Sequence, residues 1–325
     1  MLRLHSYQYH RPGSIAEAAE LLAAHPQDAM LIAGGTDVMP NMKHRLFTPN
    51  HLIAIRNLPE LHGISTTSRE LVIGAAETLT DISLSPLVLK YAPSLAQAAG
   101  SVAGPQLRNM GTIGGNICLD TRCTYYNQTY FWRSALGFCL KKHGDVCHVT
   151  KVGRKCVAAH SADTPPVLLT LGAVVDLVSA EGTRSVSVAD FFVADGIWNS
   201  VRKPSEIVAR VRVPLPAASV KLAFLKVRQR QSIDFPLLNM AIAADFDGRT
   251  MRSLRIVVSA LGSKPRDLAG LDKVAAGRPL DAPTIEAIAE RAYQQCHPLE
   301  NIIVDPDWRH AMVPIYVKRA LGTLV

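Results

Sequence analysis

The stretch "SVAGPQLRNMGTIGGN", Ser101 to Asn116, packs four glycines into sixteen residues and decides what kind of chain this is. Its partner lies upstream. "AMLIAGGTD", Ala29 to Asp37, reads as a buried strand ending in a turn at Gly34 and Gly35. Consecutive glycines permit positive φ and let backbone N–H groups converge on an anion. Either loop alone reads equally well as a tight turn serving chain reversal. Neither is G-x-G-x-x-G opening a helix, and G-x-x-x-x-G-K-[ST] is absent, which leaves a nicotinamide Rossmann site and a P-loop without support. Two glycine loops together point to a ligand with an extended phosphate backbone.

Outward from these loops the pattern is mixed α and β. "SIAEAAELLAAH" sets Ser14 and Glu17 at capping-box spacing before an alanine and leucine face, predicting a helix that Pro26 ends. "HLIAIRN" and "LVIGAAE" read as strands, and "SPLVLKYAPSLAQAAGSV" as a helical run into the second glycine loop. "TPPVLLTLGAVVDLVSAEG" predicts a short helix and then a strand. Pro214 and Pro216 mark a break. Beyond it, "NMAIAADFDGRTMRSLRIVVSALG" reads as two strands joined at Asp247-Gly248, followed by two helical segments. Pro314 is expected to kink or split the second of these. The expectation is an α+β chain with a first domain at 1–216, divided near residue 57, and a smaller α+β domain at 217–325.

Composition narrows the function classes. Apolar residues make up 48% of the 325 and charged residues 19%, as in a globular protein able to bury a sizeable core. The start lacks a signal-peptide pattern and no apolar run reaches the ~18 residues of a membrane span, so cytoplasmic residence with reduced thiols is expected. The 35 basic residues, giving a net charge of +8, are dispersed without a nucleic-acid motif and suit an acidic protein partner or a phosphorylated ligand instead.

"YQYHRPGSIAEAAELL", "LIAGGTDVMPNMK", "SVAGPQLRNMGTIGGNI", "HSADTPPVLLTLGA" and "FLKVRQR" follow one another at spacings that resemble the FAD-binding subunit of the molybdenum hydroxylase family. The family includes xanthine dehydrogenase and carbon monoxide dehydrogenase, and the resemblance spans nearly the whole chain. It implies an FAD-binding fold of two α/β subdomains, of the PCMH type, followed by a C-terminal domain of the CO dehydrogenase flavoprotein type. It further implies that Ala33, Gly34, Gly35, Thr36, Asp37 and Val38 hold the FAD pyrophosphate, with Gly111, Thr112, Gly115 and Asn116 doing so from the second loop. Asp163 is implied at the flavin end and Lys226 near the isoalloxazine; on their own, these read as a helix cap and a solvated strand residue. Implied partners are a molybdopterin-binding large subunit and a [2Fe–2S] small subunit, as a dimer of heterotrimers. No side chain here is expected to act as acid, base or nucleophile on substrate; His160 and Tyr9 read as packing residues.

Against that family, roughly forty residues are inserted at about 119–160, and they hold four of the six cysteines. Cys123, Cys139, Cys147 and Cys156 are separated by 15, 7 and 8 residues, without a C-x₂-C pair. Four thiolates are the ligand set of a [4Fe–4S] cubane. A structural zinc drawing on His143 or His148, or unligated thiols bracing a docking loop, are the alternatives. Between Arg122 and Cys156, Arg122, Arg133, Lys141, Lys142, Lys151, Arg154 and Lys155 stand against one acid, Asp145, and suit an anionic cluster. Tyr125, Tyr126, Tyr130, Phe131 and Trp132 are expected to shield the sulfurs, while Cys118 and Cys296 read as structural. An inserted four-cysteine segment resembles the branch of the family formed by the 4-hydroxybenzoyl-CoA reductases. That resemblance implies electron relay from reduced ferredoxin through [4Fe–4S] and FAD, for reductive dehydroxylation to benzoyl-CoA in anaerobic aromatic degradation. The competing expectation is a xanthine-, aldehyde- or CO-dehydrogenase-type FAD subunit with zinc in the insertion.

Overall fold

The computed structural model describes residues 2–325 and contains three sheets. The first is parallel: β1 (Gln8–His10), β2 (Ala29–Ile32) and β3 (His51–Ala54), with β3 in the centre. The helix Ile15–Ala24 crosses from β1 to β2. Ser14 Oγ accepts from the Glu17 amide at 3.2 Å while Glu17 Oε2 accepts from the Gly13 amide at 2.6 Å, so both reciprocal cap bonds form, the second displaced by one residue. Ala18, Ala19 and Leu22 bury against Ile53, Leu58 and Leu61 and against Ile207 and Ala209 of the next sheet.

That second sheet holds β4 (Ile64–Thr66), β5 (Glu70–Gly74), β6 (Val174–Ser179), β7 (Gly182–Ser187) and β8 (Ile207–Pro214), in the order β4-β5-β8-β6-β7. Every pairing in it is antiparallel, with the helices packed on this sheet. Alternation of helical and strand patterns cannot give strand direction, and here β6 and β7 close as a hairpin.

β9 (Val220–Val227), β10 (Leu238–Asp247), β11 (Thr250–Ser259) and β12 (Arg266–Asp267) form the third sheet, antiparallel, with the expected Asp247-Gly248 turn. One face packs Met240, Ile242, Leu254 and Ile256 on the helices Ala282–Tyr293 and Pro306–Gly322 through Ile288, Val313 and Val317. The other presents Phe224, Ala241 and Val257 to the core of the second sheet and its helices. Pro314 does not split its helix, which runs unbroken from Pro306 to Gly322. Buried Arg309, Val313 and Val317 pin the turns on either side and offset the backbone bond that proline removes. The run before the second glycine loop, by contrast, divides into Pro86–Tyr91 and Pro93–Ser101, because Pro93 begins a helix more readily than it continues one.

Residues 119–157 carry little regular structure beyond the helix Tyr130–Ala135. Their buried residues are Thr121, Tyr126, Arg133, Cys139, Cys147 and Cys156, without one buried aliphatic side chain. Phe138, His143 and Lys151 there adopt positive φ, a conformation costing about 1 kcal/mol or more each that surrounding contacts must hold. Hydrophobic packing within the segment is too slight to do so. Three of the four sulfurs are among its few buried side chains.

Candidate functional site

The two glycine loops face each other at close range. A Cβ built on Gly34 would stand 1.8 Å from the Met110 carbonyl oxygen, so nothing but glycine lets the loops meet. Gly35 takes φ +71, again glycine's territory. Among the described residues, the amides of Gly34, Gly35, Thr36 and Asp37 meet no acceptor within the chain. Convergent free amides at a strand end form an anion-binding concavity. Between the loops opens a cleft of about 680 Å³, within the ~300–1,000 Å³ of an ordinary ligand pocket. Ala33 to Val38, Gly111, Thr112, Gly115 and Asn116 all line it, so every expected loop residue reaches one wall. Thr112 Oγ1 accepts from the Gly115 amide at 3.1 Å, and Asn116 Oδ1 accepts from the Thr164 amide and hydroxyl at 3.2 and 2.7 Å. These bonds fix the loop's shape, and most of its amides are taken up within the chain, so the free backbone donors of the cleft come from the first loop. An extended dinucleotide such as FAD fits this donor set and this span.

Asp163 and Lys226 are not in that wall. Lys226 Nζ donates to Asp163 Oδ2 at 2.7 Å, and both side chains are 4% exposed. Burial pushes the Asp163 carboxyl up and the Lys226 ammonium down, each opposed by the other's charge. Asn239 Nδ2 donates to the second carboxylate oxygen at 2.8 Å, while Lys226 also reaches the Ser101 carbonyl at 3.1 Å. The pair thus anchors the start of the second glycine loop to the C-terminal sheet. The cap reading of Asp163 also fails in detail, since it stands at the N-cap of Thr164–Thr170 without a side-chain cap bond. His160 is fully buried against Phe192, as expected of a packing residue, whereas Tyr9 is half exposed beneath Arg11.

Several cleft residues escape sequence reasoning. Arg122 pairs with Asp37 and lies 5.1 Å over the Phe235 ring, tying the insertion to the first glycine loop; burial lowers its pKa to about 10. Trp198 and Arg202, stacked at 5.0 Å, come from an irregular loop after β7. Cys118, expected in the core, is exposed in the cleft wall because the Ile113–Ile117 helix ends there. Cys296 is buried in the C-terminal core, and burial pushes its thiol up to about 12.

A second, much smaller cavity of about 10 Å³ lies beside the first. Cys123, Cys139, Cys147 and Cys156 all line it, with Tyr125, Tyr126, Lys141 and His148. None of the four is in a disulfide. Burial raises the Cys123 thiol to about 11, helped by its three sulfur neighbours, and raises that of Cys156. At Cys147 burial is outweighed by hydrogen bonds from Thr150, Val149 and Val157, which lower it. His143 is exposed and outside the cavity, and His148 turns Nε2 to the Phe138 carbonyl at 2.5 Å. Of the expected shielding aromatics, only Tyr125 and Tyr126 line the cavity. Tyr130, Phe131 and Trp132 stand on the outer face, with Phe131 81% exposed, because their short helix turns its buried side, Arg133, inward. Of the segment's cations only Lys141 lines this cavity; Arg122 and Arg133 are shielded elsewhere, and Lys151, Arg154 and Lys155 are exposed.

Among the described residues, the only three or more potential ligands with all donor atoms within 4.8 Å of one another are His25, Asp28 and His51. No three of the cysteines close up that far. The histidine group is no ready alternative, since the rings of His25 and His51 stack at 3.6 Å and 16°, and a metal in one ring plane falls outside the other.

Residues 5–216 match the model of the FAD binding domain in molybdopterin dehydrogenase, and residues 223–324 that of the CO dehydrogenase flavoprotein C-terminal domain. The carbon monoxide dehydrogenase medium chain of Hydrogenophaga pseudoflava is 30% identical over 97% of this chain and 96% of its own. The aldehyde oxidoreductase FAD-binding subunit PaoB of Escherichia coli is 33% identical over 80% of this chain and 83% of its own. The structure of carbon monoxide dehydrogenase from Hydrogenophaga pseudoflava superimposes with a TM-score of 0.81 at 28% identity, covering 98% of this chain and 97% of that one. No helix among the described residues is long and apolar enough to cross a membrane.

Proposed function

Because this chain belongs to the FAD-binding flavoprotein family of the molybdopterin dehydrogenases, we propose that it is an electron-transfer subunit carrying a [4Fe–4S] cluster beside its FAD. The convergence of four cysteines on one cavity, within a segment lacking aliphatic core, carries the cluster. When bound, the two groups supply one- and two-electron redox chemistry. The chain supplies their places. Ala33 to Asp37, Gly111, Thr112, Gly115 and Asn116 hold FAD; Cys123, Cys139, Cys147 and Cys156 hold the cluster; Asp163 and Lys226 position the second glycine loop. The outer face, with Phe131, Trp132, Lys151, Arg154 and Lys155, suits an acidic one-electron donor of the ferredoxin kind. Partners in this reading are a molybdopterin-binding large subunit and a [2Fe–2S] small subunit, as a dimer of heterotrimers, and the reaction is the reductive dehydroxylation of 4-hydroxybenzoyl-CoA.

The names of the relatives favour a second reading, an FAD subunit of a CO-, xanthine- or aldehyde-type dehydrogenase with zinc among the thiols. The relatives' names speak for the oxidative direction. The purified complex decides between them when supplied with reduced ferredoxin and 4-hydroxybenzoyl-CoA, or with xanthine, aldehydes or CO and an artificial acceptor. Benzoyl-CoA formation supports the first reading. Turnover of only the second group overturns it in favour of the hydroxylase.

A further inference from the structure

We infer that Lys141 is a positioning residue between the two centres: a buried cation in the shared wall that raises the reduction potential of the group held by the four thiols. The inference is conditional on the cluster reading above. Only Lys141 and Tyr126 line both the thiol cavity and the flavin cleft. The Lys141 side chain is 4% exposed, whereas Lys151, Arg154 and Lys155 face solvent, where water screens them. Its Nζ donates to Asp120 Oδ1 and Thr121 Oγ1, both at 2.6 Å, and to the Gly196 carbonyl, and it lies 4.7 Å from the centre of the Tyr126 ring.

Gly196 continues the contact to the thiols. Its N–H donates to the Cys156 carbonyl at 2.8 Å, and a Cβ on it would stand 2.8 Å from Cys156 Sγ. The ammonium is therefore two hydrogen bonds from the backbone of a cluster cysteine, with a loop in contact with that sulfur between them. Of the segment's other shielded cations, Arg122 pairs with Asp37 in the flavin cleft, and Arg133 lines neither cavity and donates to the Arg45 carbonyl at 3.2 Å. An added electron makes a four-thiolate site more negative, so a nearby buried cation favours the reduced form and a carboxylate opposes it. Lys141 and Asp120 should act with opposite signs.

The test is an EPR-monitored redox titration of the purified complex carrying Lys141→Met or Asp120→Asn, with iron and FAD content measured in parallel. Lys141→Met should shift the cluster's reduction equilibrium about tenfold toward the oxidised form, a fall of about 59 mV for one electron. Asp120→Asn should shift it the opposite way. Shifts of the same sign, or none in either variant, overturn the inference, because a purely structural wall residue has no reason to act with a sign. If Lys141→Met loses its iron, Asp120→Asn and the charge-preserving Lys141→Arg decide: a raised potential in the first beside a wild-type value in the second supports the role, and an unmoved Asp120→Asn overturns it. A wild-type complex without any reducible cluster defeats the proposed function instead, which keeps the two failures apart.

Discussion

Replacing Gly34 by alanine puts a methyl group 1.8 Å from the Met110 carbonyl oxygen and 2.4 Å from its carbon, both backbone atoms that cannot swing aside. Ordinary contact is about 3.5 Å, so the two glycine loops must part by roughly 1.7 Å. Forced overpacking of this kind costs about 1–3 kcal/mol. If that cost falls on the FAD-competent arrangement, affinity drops about 5- to 150-fold. Fluorescence titration of the flavin-stripped protein with FAD measures it, with thermal melting of the same samples to report on the fold. Gly115→Ala is the control, since its methyl meets only Thr112 Oγ1 at 3.2 Å, and it should lose less than about fivefold. A Gly34→Ala protein binding FAD with wild-type affinity would refute the facing-loop geometry. Should that variant fail to fold, Gly35→Ala, strained by its φ of +71 yet not blocked by backbone, gives the intermediate loss that keeps the prediction open to refutation.

Cys139→Ser should lose iron and keep FAD, because thiols and glycine loops line separate cavities; retained iron with lost FAD would mean the two sites are exchanged. Lys226→Met leaves Asp163 buried without its counter-charge, costing about 3–5 kcal/mol in a chemical denaturation experiment, part of which Asp163→Asn in the same chain should recover. Strictly additive losses would deny the coupling. Burial holds the His160 imidazole at a pKa of about 3, with both ring nitrogens unpartnered. The unfolded chain, with its histidine near 6.5, then takes up the proton first as pH falls, so the stability due to neutral His160 is complete above about 6.5 and is lost toward 3. His160→Phe should flatten the stability profile in that window by up to about 1.4 kcal/mol per pH unit, and an unchanged slope would contradict the burial of a neutral ring.

What the sequence discloses follows from what local chemistry demands. Gly34, Gly35 and the capping pair Ser14 and Glu17 each meet a backbone requirement that few other residues satisfy, so the cleft and its first helix are legible from the chain alone. The four cysteines are legible as a group because they crowd into one short segment, and the fold brings all four to one cavity. Strand direction in the second sheet is not, since β5 and β8 find each other across more than a hundred residues. Nor is the Asp163–Lys226 pair, whose members are 63 residues apart and whose burial only the tertiary fold reveals. The outward turn of Phe131 and Trp132 likewise depends on which side of a one-turn helix Arg133 occupies. Lys141 is indistinguishable in sequence from the other basic residues of the segment, and its place in the wall emerges only from the folded chain.

Iron and acid-labile sulfide, quantified on anaerobically purified protein and paired with low-temperature EPR after reduction, test the cluster most directly. Four thiolates around a cubane predict about four iron and four sulfide per chain and a signal that appears on reduction. Stoichiometric zinc without a signal, or sulfurs recovered without any metal, would contradict it.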